Sequence, residues 1–147
     1  MPGRTALLGT WKMVSWQREV LATGERTDAL GPEPVGYFSY GADGRCSILV
    51  VRRDRPIPTT LPPTEEERVH LYDSMLAYAG TYTVDEEKVV HHVDASWNQT
   101  WTGTDQVRFY QLEGDKLTFR SAPAKDAYTG EPGFYLVQFE RVRGSQT

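Results

Sequence analysis

Cysteine is nearly absent from this chain, since Cys46 is the single one among 147 residues. A lone thiol forms no internal disulfide, which excludes a small fold held together by disulfide bridges. Cys46 opens the strand-like run 46–51, so we interpret it as a buried side chain and not as a nucleophile. This use of cysteine is typical of the reducing cytoplasm, where we expect the protein to act.

An excess of positive charge is also lacking. Lys and Arg total 16 against 20 Asp and Glu, which gives a net charge of −4. No basic field attracts phosphate backbones or an anionic bilayer, so neither nucleic acid nor a membrane is an expected partner. Apolar runs of about 18 residues and the apolar core of a secretory signal are missing too. The sequence therefore predicts a protein that neither spans a membrane nor is secreted by the signal-peptide route.

The signatures of several common catalysts are missing as well. The sequence contains no Gly-rich phosphate loop, no Gly-x-Ser-x-Gly elbow and no cysteine and histidine pair in a nucleophile context. His91 and His92 are adjacent on a predicted strand and therefore point to opposite faces, and His70 has no partner at the spacing of a helical zinc site. We expect neither a metal nor a cofactor.

Aromatic residues, by contrast, are abundant and make up 12% of the chain. Domains typically contain about 100 to 200 residues, so we expect one domain over residues 1–147. A chain of this size can bury a full hydrophobic core. The surplus of Trp, Tyr and Phe indicates that flat apolar groups are either packed inside this domain or used to bind a ligand.

Short runs of alternating apolar and polar residues, separated by turn residues, predict an all-β fold. Turns at 43–44, 85–87 and 113–115 join neighbouring runs, so adjacent strands are expected to pair antiparallel. The predicted strands cover residues 9–20, 35–41, 45–52, 80–85, 88–97, 105–112, 116–121 and 134–141.

One helix is expected to interrupt the strands. Thr64 and Glu67 have the spacing of a capping box, and Gly80 is a typical helix stop, which predicts a helix over 65–79 with one face packed on the sheet. The prolines of segment 52–63 cannot donate ladder hydrogen bonds. That segment is therefore predicted to be a stiff crossing or a lid.

About eight antiparallel strands in one short chain favour a closed or nearly closed up-and-down barrel, because an open sheet leaves two adhesive edges. A barrel of this size has room for one small ligand. The alternative is a β-sandwich, in which the aromatic side chains would fill a dry core.

Gly9-Thr10-Trp11 opens the first predicted strand, and Arg141 ends the last one. With these residues the chain resembles the short bacterial lipocalin-like domain family of the calycin barrels, in which a Gly-x-Trp signature opens the first strand and a basic residue of the closing strand packs on this Trp. The resemblance implies a barrel with a ligand cavity and brings little reaction chemistry with it. The other matching segments are 36–37 with Tyr40, 43–45, 53–56, 78–84, 90–93, 101–104, 106–108 and 136–140.

His91 is the first candidate for chemistry. Alternation along the predicted strand 88–97 places Val89, His91 and Val93 on its more apolar face, which we expect to point inward. Burial would lower the pKa of His91 and leave a neutral imidazole that can accept a proton, as a general base does. The alternative is a hydrogen-bonded histidine of the core.

On the strand that follows, Gln106, Arg108 and Tyr110 share one face. The resemblance implies that this face lines the lumen, because the Gln-x-Arg spelling matches that of the family. Arg108 beside Tyr110 would then bind a carboxylate or enolate, like the Arg-x-Tyr pair of fatty-acid-binding calycins, although that pair lies on the last strand. The alternative is that Arg108 points outward or pairs with Asp94 or Asp105.

The remaining candidates are side chains expected to line the cavity or its rim, where Tyr and Trp offer a flat apolar face and a donor. Met75 and Tyr78 would form either a plug or the packing face of the predicted helix. Tyr72 belongs to the wider group of aromatic candidates. The predicted ligand-binding set is Trp16, Tyr37, Tyr40, Met75, Tyr78, Tyr82, Trp97, Trp101 and Gln106.

Three functions are compatible with these features. The first is binding of a small hydrophobic or aromatic molecule with an oxygen function, by a monomer or a homodimer. The second is a cofactor-independent cyclase or isomerase of a polyketide-like intermediate, in which the barrel orders the substrate while His91, Arg108 and Tyr110 stabilise charge. The third is a structural or interaction protein whose barrel is filled by its own side chains.

Overall fold

Ten antiparallel β-strands build the protein in a computed structural model that describes residues 4–126 and 129–144. The strands are β1 (Gly9–Val20), β2 (Arg26–Asp28), β3 (Val35–Tyr40), β4 (Arg45–Val51), β5 (Met75–Val84), β6 (Lys88–Ser96), β7 (Asp105–Glu113), β8 (Lys116–Ser121), β9 (Ala124–Lys125) and β10 (Pro132–Arg141). The helices are α1 (Arg4–Leu7) and α2 (Glu65–Asp73), and a single 3₁₀ turn covers Gln99–Trp101.

Eight of these strands close into a barrel, which confirms the predicted fold class and excludes the sandwich. The order is β1-β3-β4-β5-β6-β7-β8-β10, and β10 returns to pair with β1. Closure removes the exposed edges that an open sheet would present. The short strands β2 and β9 extend β1 and β10 at one end, which we call the mouth, and we call the opposite end the base.

A bulge in β1 decides which of its side chains face the interior. The register with β10 shifts between Met13 and Ser15, so the buried positions change from Trp11 and Met13 to Trp16 and Arg18. A bulge inserts one extra residue and thereby reverses the alternation beyond it. As a result Arg18, near the mouth, is a buried residue with 7% of its surface exposed.

Trp11 and Arg141 close the base. Trp11 is fully buried, its Nε1 donates to the carbonyl oxygen of Leu7 at 2.9 Å, and the Arg141 guanidinium lies 4.3 Å from the centre of its ring. Arg141 also donates to the carbonyl oxygens of Ala6 and Leu8, which ties α1 to the barrel. The packing implied by the Gly-x-Trp resemblance is therefore present.

The helix is shorter than predicted. The capping box at Thr64 is present, but α2 ends at Asp73 and β5 begins at Met75, so the prediction of a helix over 65–79 is wrong beyond Asp73. Leu76 pairs with Val50 of β4, so this segment belongs to the barrel wall. No residue of α2 is buried, and the expected packing of the helix on the sheet is also wrong. In the described residues no helix is long and apolar enough to cross a membrane.

Cys46 lies in β4 and is 4% exposed. Burial raises the pKa of its thiol to about 12. A thiol that stays protonated at neutral pH is a poor nucleophile. The structure therefore agrees with the interpretation of Cys46 as a buried structural side chain.

The packing of β5 on β6 can be tested at Gly80. A Cβ at this position would overlap the carbonyl oxygen of His92, because the two strands approach closely where their register shifts. We expect Gly80→Ala to lower the free energy of unfolding by about 1–3 kcal/mol, as overpacking does. Urea denaturation measures this change. Gly144→Ala is the control, since a Cβ there meets no atom within 4 Å, and an unchanged midpoint for Gly80→Ala would contradict this register.

Candidate functional site

Aromatic rings fill the barrel interior below the mouth. The ring of Phe38 is stacked on Tyr40 at 4.8 Å between centroids and lies 4.7 Å from His91. It also meets Phe119 and Phe139 edge-on at 6.0 and 6.1 Å. All five residues are at most 2% exposed. Most of the barrel interior is therefore occupied by its own side chains.

His91 is fully buried, which confirms the inward orientation predicted for it. Its Nε2 lies 2.6 Å from the hydroxyl of Tyr40, and its Nδ1 lies 2.7 Å from the hydroxyl of Tyr78. A neutral imidazole has one N–H donor and one acceptor nitrogen, so one tyrosine accepts a hydrogen bond and the other donates one. Both ring nitrogens thus have a hydrogen-bond partner, as expected for a hydrogen-bonded histidine of the core.

This network is electrically neutral at physiological pH. Burial, and then the charges of Arg108 and His92, lower the pKa of His91 well below its ordinary value. Burial raises the pKa of Tyr40 well above its ordinary value and that of Tyr78 to about 12, against the opposing charge of Arg108. Within the described part of the chain no group of three or more His, Cys, Asp or Glu is placed to hold a metal ion.

Arg108 is a buried cation beside this network, with 8% of its surface exposed. Its Nη1 donates to the carbonyl oxygen of Val107 at 3.0 Å, and its Nη2 donates to Gln106 Oε1 at 3.5 Å. Asp94 and Asp105 pair with other residues, so the predicted alternative of an ion pair with either is wrong. Among the described residues no ion pair includes Arg108. The interior thus holds a positive charge without a neighbouring carboxylate.

A small inner cavity lies between this polar network and the mouth. It measures about 30 Å³, and its walls include Trp16, Tyr78, Trp101, Arg108 and Tyr135. About 10–15 Å³ of such volume accommodates one water molecule, so this cavity has space for about two. It is much smaller than the ligand-sized lumen expected from the strand number, because the aromatic rings below it occupy that space.

Two larger depressions adjoin the inner cavity at the mouth. The mouth pocket, of about 440 Å³, shares Trp16 and Tyr135 with the inner cavity and is also lined by Arg18. The side pocket, of about 190 Å³, shares Trp101, Arg108 and Tyr135 with it. Tyr135 therefore borders all three spaces, and the room for a ligand lies at the mouth.

Sequence reasoning missed Arg18 and Tyr135. The Arg18 guanidinium lies 4.9 Å from the centre of the Tyr135 ring, and Trp16 meets the same ring at 5.2 Å. The hydroxyl of Tyr135 donates to Asp126 Oδ1 at 2.6 Å. The usable signal was the position of Arg18 two residues after Trp16, because alternation places both on one face.

Several predicted site residues lie away from the inner cavity. Tyr110 faces inward as expected, but it lies towards the base and its hydroxyl donates to the carbonyl oxygen of Asp85 at 2.8 Å. Tyr82 donates to the carbonyl oxygen of Gly41, also at the base. Tyr37 is 47% exposed on the outer surface. The tyrosines that line the inner cavity with Arg108 are Tyr78 and Tyr135, whereas Tyr110 is not part of its walls.

The remaining predicted residues lie at the mouth. The rings of Trp97 and Trp101 are 5.4 Å apart, and Tyr72 of α2 lies 6.1 Å from Trp97. Gln106 is half-buried beside Arg108. Met75 is half-buried at the start of β5, so it belongs to a strand and not to a helical plug. Of these residues, Trp101 lines the inner cavity.

The buried, neutral His91 makes stability depend on pH. Its pKa in the folded state lies below the unfolded value of about 6.5, so the unfolded chain binds the additional proton first as the pH falls. The free energy of unfolding then decreases by up to about 1.4 kcal/mol per pH unit below about pH 6.5. We expect His91→Gln to be less stable than the wild type at neutral pH. Its free energy of unfolding should also change less with pH under acidic conditions, as measured by urea denaturation.

The matched control is His70→Gln, because His70 lies on the exposed helix α2. In this variant the free energy of unfolding is expected to change with pH as it does in the wild type. The same pH dependence in the wild type and His91→Gln would contradict a neutral, buried His91.

The structure is similar to the crystal structure of an uncharacterized protein from Bacteroides eggerthii, with a TM-score of 0.41. The two sequences are 12% identical, and the match covers 92% of this chain and 99% of that chain. A comparison with curated proteins gives no match. The family model described as a lipocalin-like domain matches residues 8–138. This match spans nearly all of the barrel, so the chain belongs to the lipocalin-like domain family.

Proposed function

We propose that the protein binds a small, mostly apolar or aromatic molecule at the barrel mouth, and that Arg108 pairs with a negatively charged oxygen of this molecule. The observation that carries the proposal is the burial of Arg108 without a carboxylate partner among the described residues. A buried charge without a partner costs several kcal/mol. A ligand oxygen would offset that cost and would fit the planar guanidinium.

The surroundings of Arg108 support an apolar ligand body. Trp101 and Tyr135 border Arg108 in both the inner cavity and the side pocket, and Phe119 closes the inner cavity. Apolar and aromatic walls with a small number of polar groups are typical of small-molecule sites. Membership of a lipocalin-like family supports ligand binding in general terms. A reducing, cytoplasmic location is part of the proposal, because Cys46 is an unpaired thiol.

The competing proposal is a structural or interaction barrel. It is supported by the small inner cavity and by the rings that fill the interior. Catalysis by a cofactor-independent cyclase or isomerase has less support, because both nitrogens of His91 are hydrogen-bonded and Tyr110 lies towards the base.

The proposal is tested with 2-naphthoic acid and 2-naphthamide, which have nearly the same size and differ in charge. We expect the wild type to bind the acid about tenfold more tightly, since a hydrogen bond to a charged group contributes about 1.5–3 kcal/mol. Arg108→Gln should abolish this preference, and Arg108→Lys should weaken the acid more than the amide because it lacks the planar fork. Isothermal titration and quenching of tryptophan fluorescence measure both affinities.

The control is Arg45→Gln, because Arg45 is an exposed arginine paired with Asp94. It should bind both compounds as the wild type does. A drop in melting temperature for Arg108→Gln with an unchanged preference for the acid would contradict the ligand-binding role of Arg108. Absence of any heat, fluorescence change or thermal shift with both compounds would favour the filled structural barrel.

A further inference from the structure

We infer that Trp16 and Arg18 form a second subsite in the mouth pocket, which binds a neutral hydrogen-bond acceptor of the same ligand, such as a ketone or amide oxygen. The inference rests on the proposed function and narrows its ligand class. The ligand is an elongated aromatic or apolar molecule with an anionic oxygen at one end, for Arg108, and a neutral acceptor at the other end.

Two buried donors without partners carry this inference. Trp16 is 4% exposed and Arg18 is 7% exposed, and both line the mouth pocket. Among the described residues neither Trp16 Nε1 nor Arg18 Nη1 has a hydrogen-bond partner. A buried donor without an acceptor destabilises the folded state, and folded proteins rarely contain one. An acceptor oxygen of a ligand in the mouth pocket would give one of these donors a partner.

The charge around Arg18 favours a neutral acceptor over a second anion. The Nη2 of Arg18 donates to two backbone carbonyl oxygens, and its Nε lies 3.7 Å from the Asp126 carboxylate. Its charge is therefore compensated, unlike that of Arg108. Glu25 and Asp28 also line the mouth pocket and would repel an anion.

The strand register places the two subsites in one row of inward residues. Arg108 pairs with Ser121 of β8, the Ser121 hydroxyl accepts a hydrogen bond from the backbone N–H of Tyr135 at 2.7 Å, and Tyr135 pairs with Arg18. At about 4.8 Å per strand, Arg108 and Arg18 are about 14 Å apart along the wall and closer across the mouth. The ring of Tyr135 lies between them, next to the space that a flat ligand would occupy.

The test uses 6-acetyl-2-naphthoic acid and 6-isopropyl-2-naphthoic acid. These probe molecules have the same acid group and nearly the same shape, but only the acetyl group contains an acceptor oxygen. We expect the wild type to bind the acetyl acid about fivefold more tightly, as one neutral hydrogen bond predicts. Trp16→Phe keeps an aromatic ring without the N–H, and it should reduce this advantage while the preference for 2-naphthoic acid over 2-naphthamide remains.

Arg18→Lys is the second variant, because it keeps a positive charge opposite Asp126 and removes the Nη1 donor. It should reduce the preference for the acetyl acid over the isopropyl acid, and it provides this test if Trp16→Phe does not fold. Trp97→Phe is the control, since Trp97 does not line the mouth pocket, and it should keep the advantage. Equal affinities of the wild type for the two acids, with binding still dependent on Arg108, would overturn the second subsite and leave the proposed function intact. Failure of both acids to bind would overturn both.

Discussion

The pairing of β1 with β10 is the constraint on which the rest of this structure depends. It converts a linear sheet into a barrel and leaves no open edge between the first and last barrel strands. At the base, the same ladder brings Arg141 onto the ring of Trp11. At the mouth, after the bulge in β1, it brings Arg18 onto the ring of Tyr135. One set of backbone hydrogen bonds therefore positions the side chains of both the base and the mouth.

The two parts of the barrel interior satisfy their polar groups differently. Below the inner cavity, His91 is hydrogen-bonded by Tyr40 and Tyr78, and aromatic rings fill the remaining space. At the mouth, Trp16 Nε1 and Arg18 Nη1 have no acceptor among the described residues. Buried polar groups are costly unless they are hydrogen-bonded, and this contrast supports the inferred subsite for an acceptor at the mouth. The rings that fill the interior also explain why the number of strands alone is a poor guide to the size of the lumen.

Much of the fold follows from local patterns. The predicted strands 9–20 and 116–121 have the same bounds as β1 and β8, since alternation over a half-buried surface is a local property of the chain. The prediction of a helix over 65–79 failed where the helical and the strand periodicity of apolar residues fit the same positions. Leu76 and Tyr78 follow a helical stripe and also an alternating one, and only the neighbouring strands β4 and β6 make the strand the stable choice.

The sequence by itself determined the barrel and the inward orientation of His91, because these depend on alternation and on residue types, whereas the packing of Arg141 on Trp11 and the inward orientation of Arg108 were implied by the family resemblance. Tertiary structure decided the rest. The two tyrosines that are hydrogen-bonded to His91 come from β3 and β5. The bulge that turns Arg18 inward depends on the register between β1 and β10. Register and the combined volume of side chains from distant strands are properties of the assembled sheet, so no local pattern encodes them.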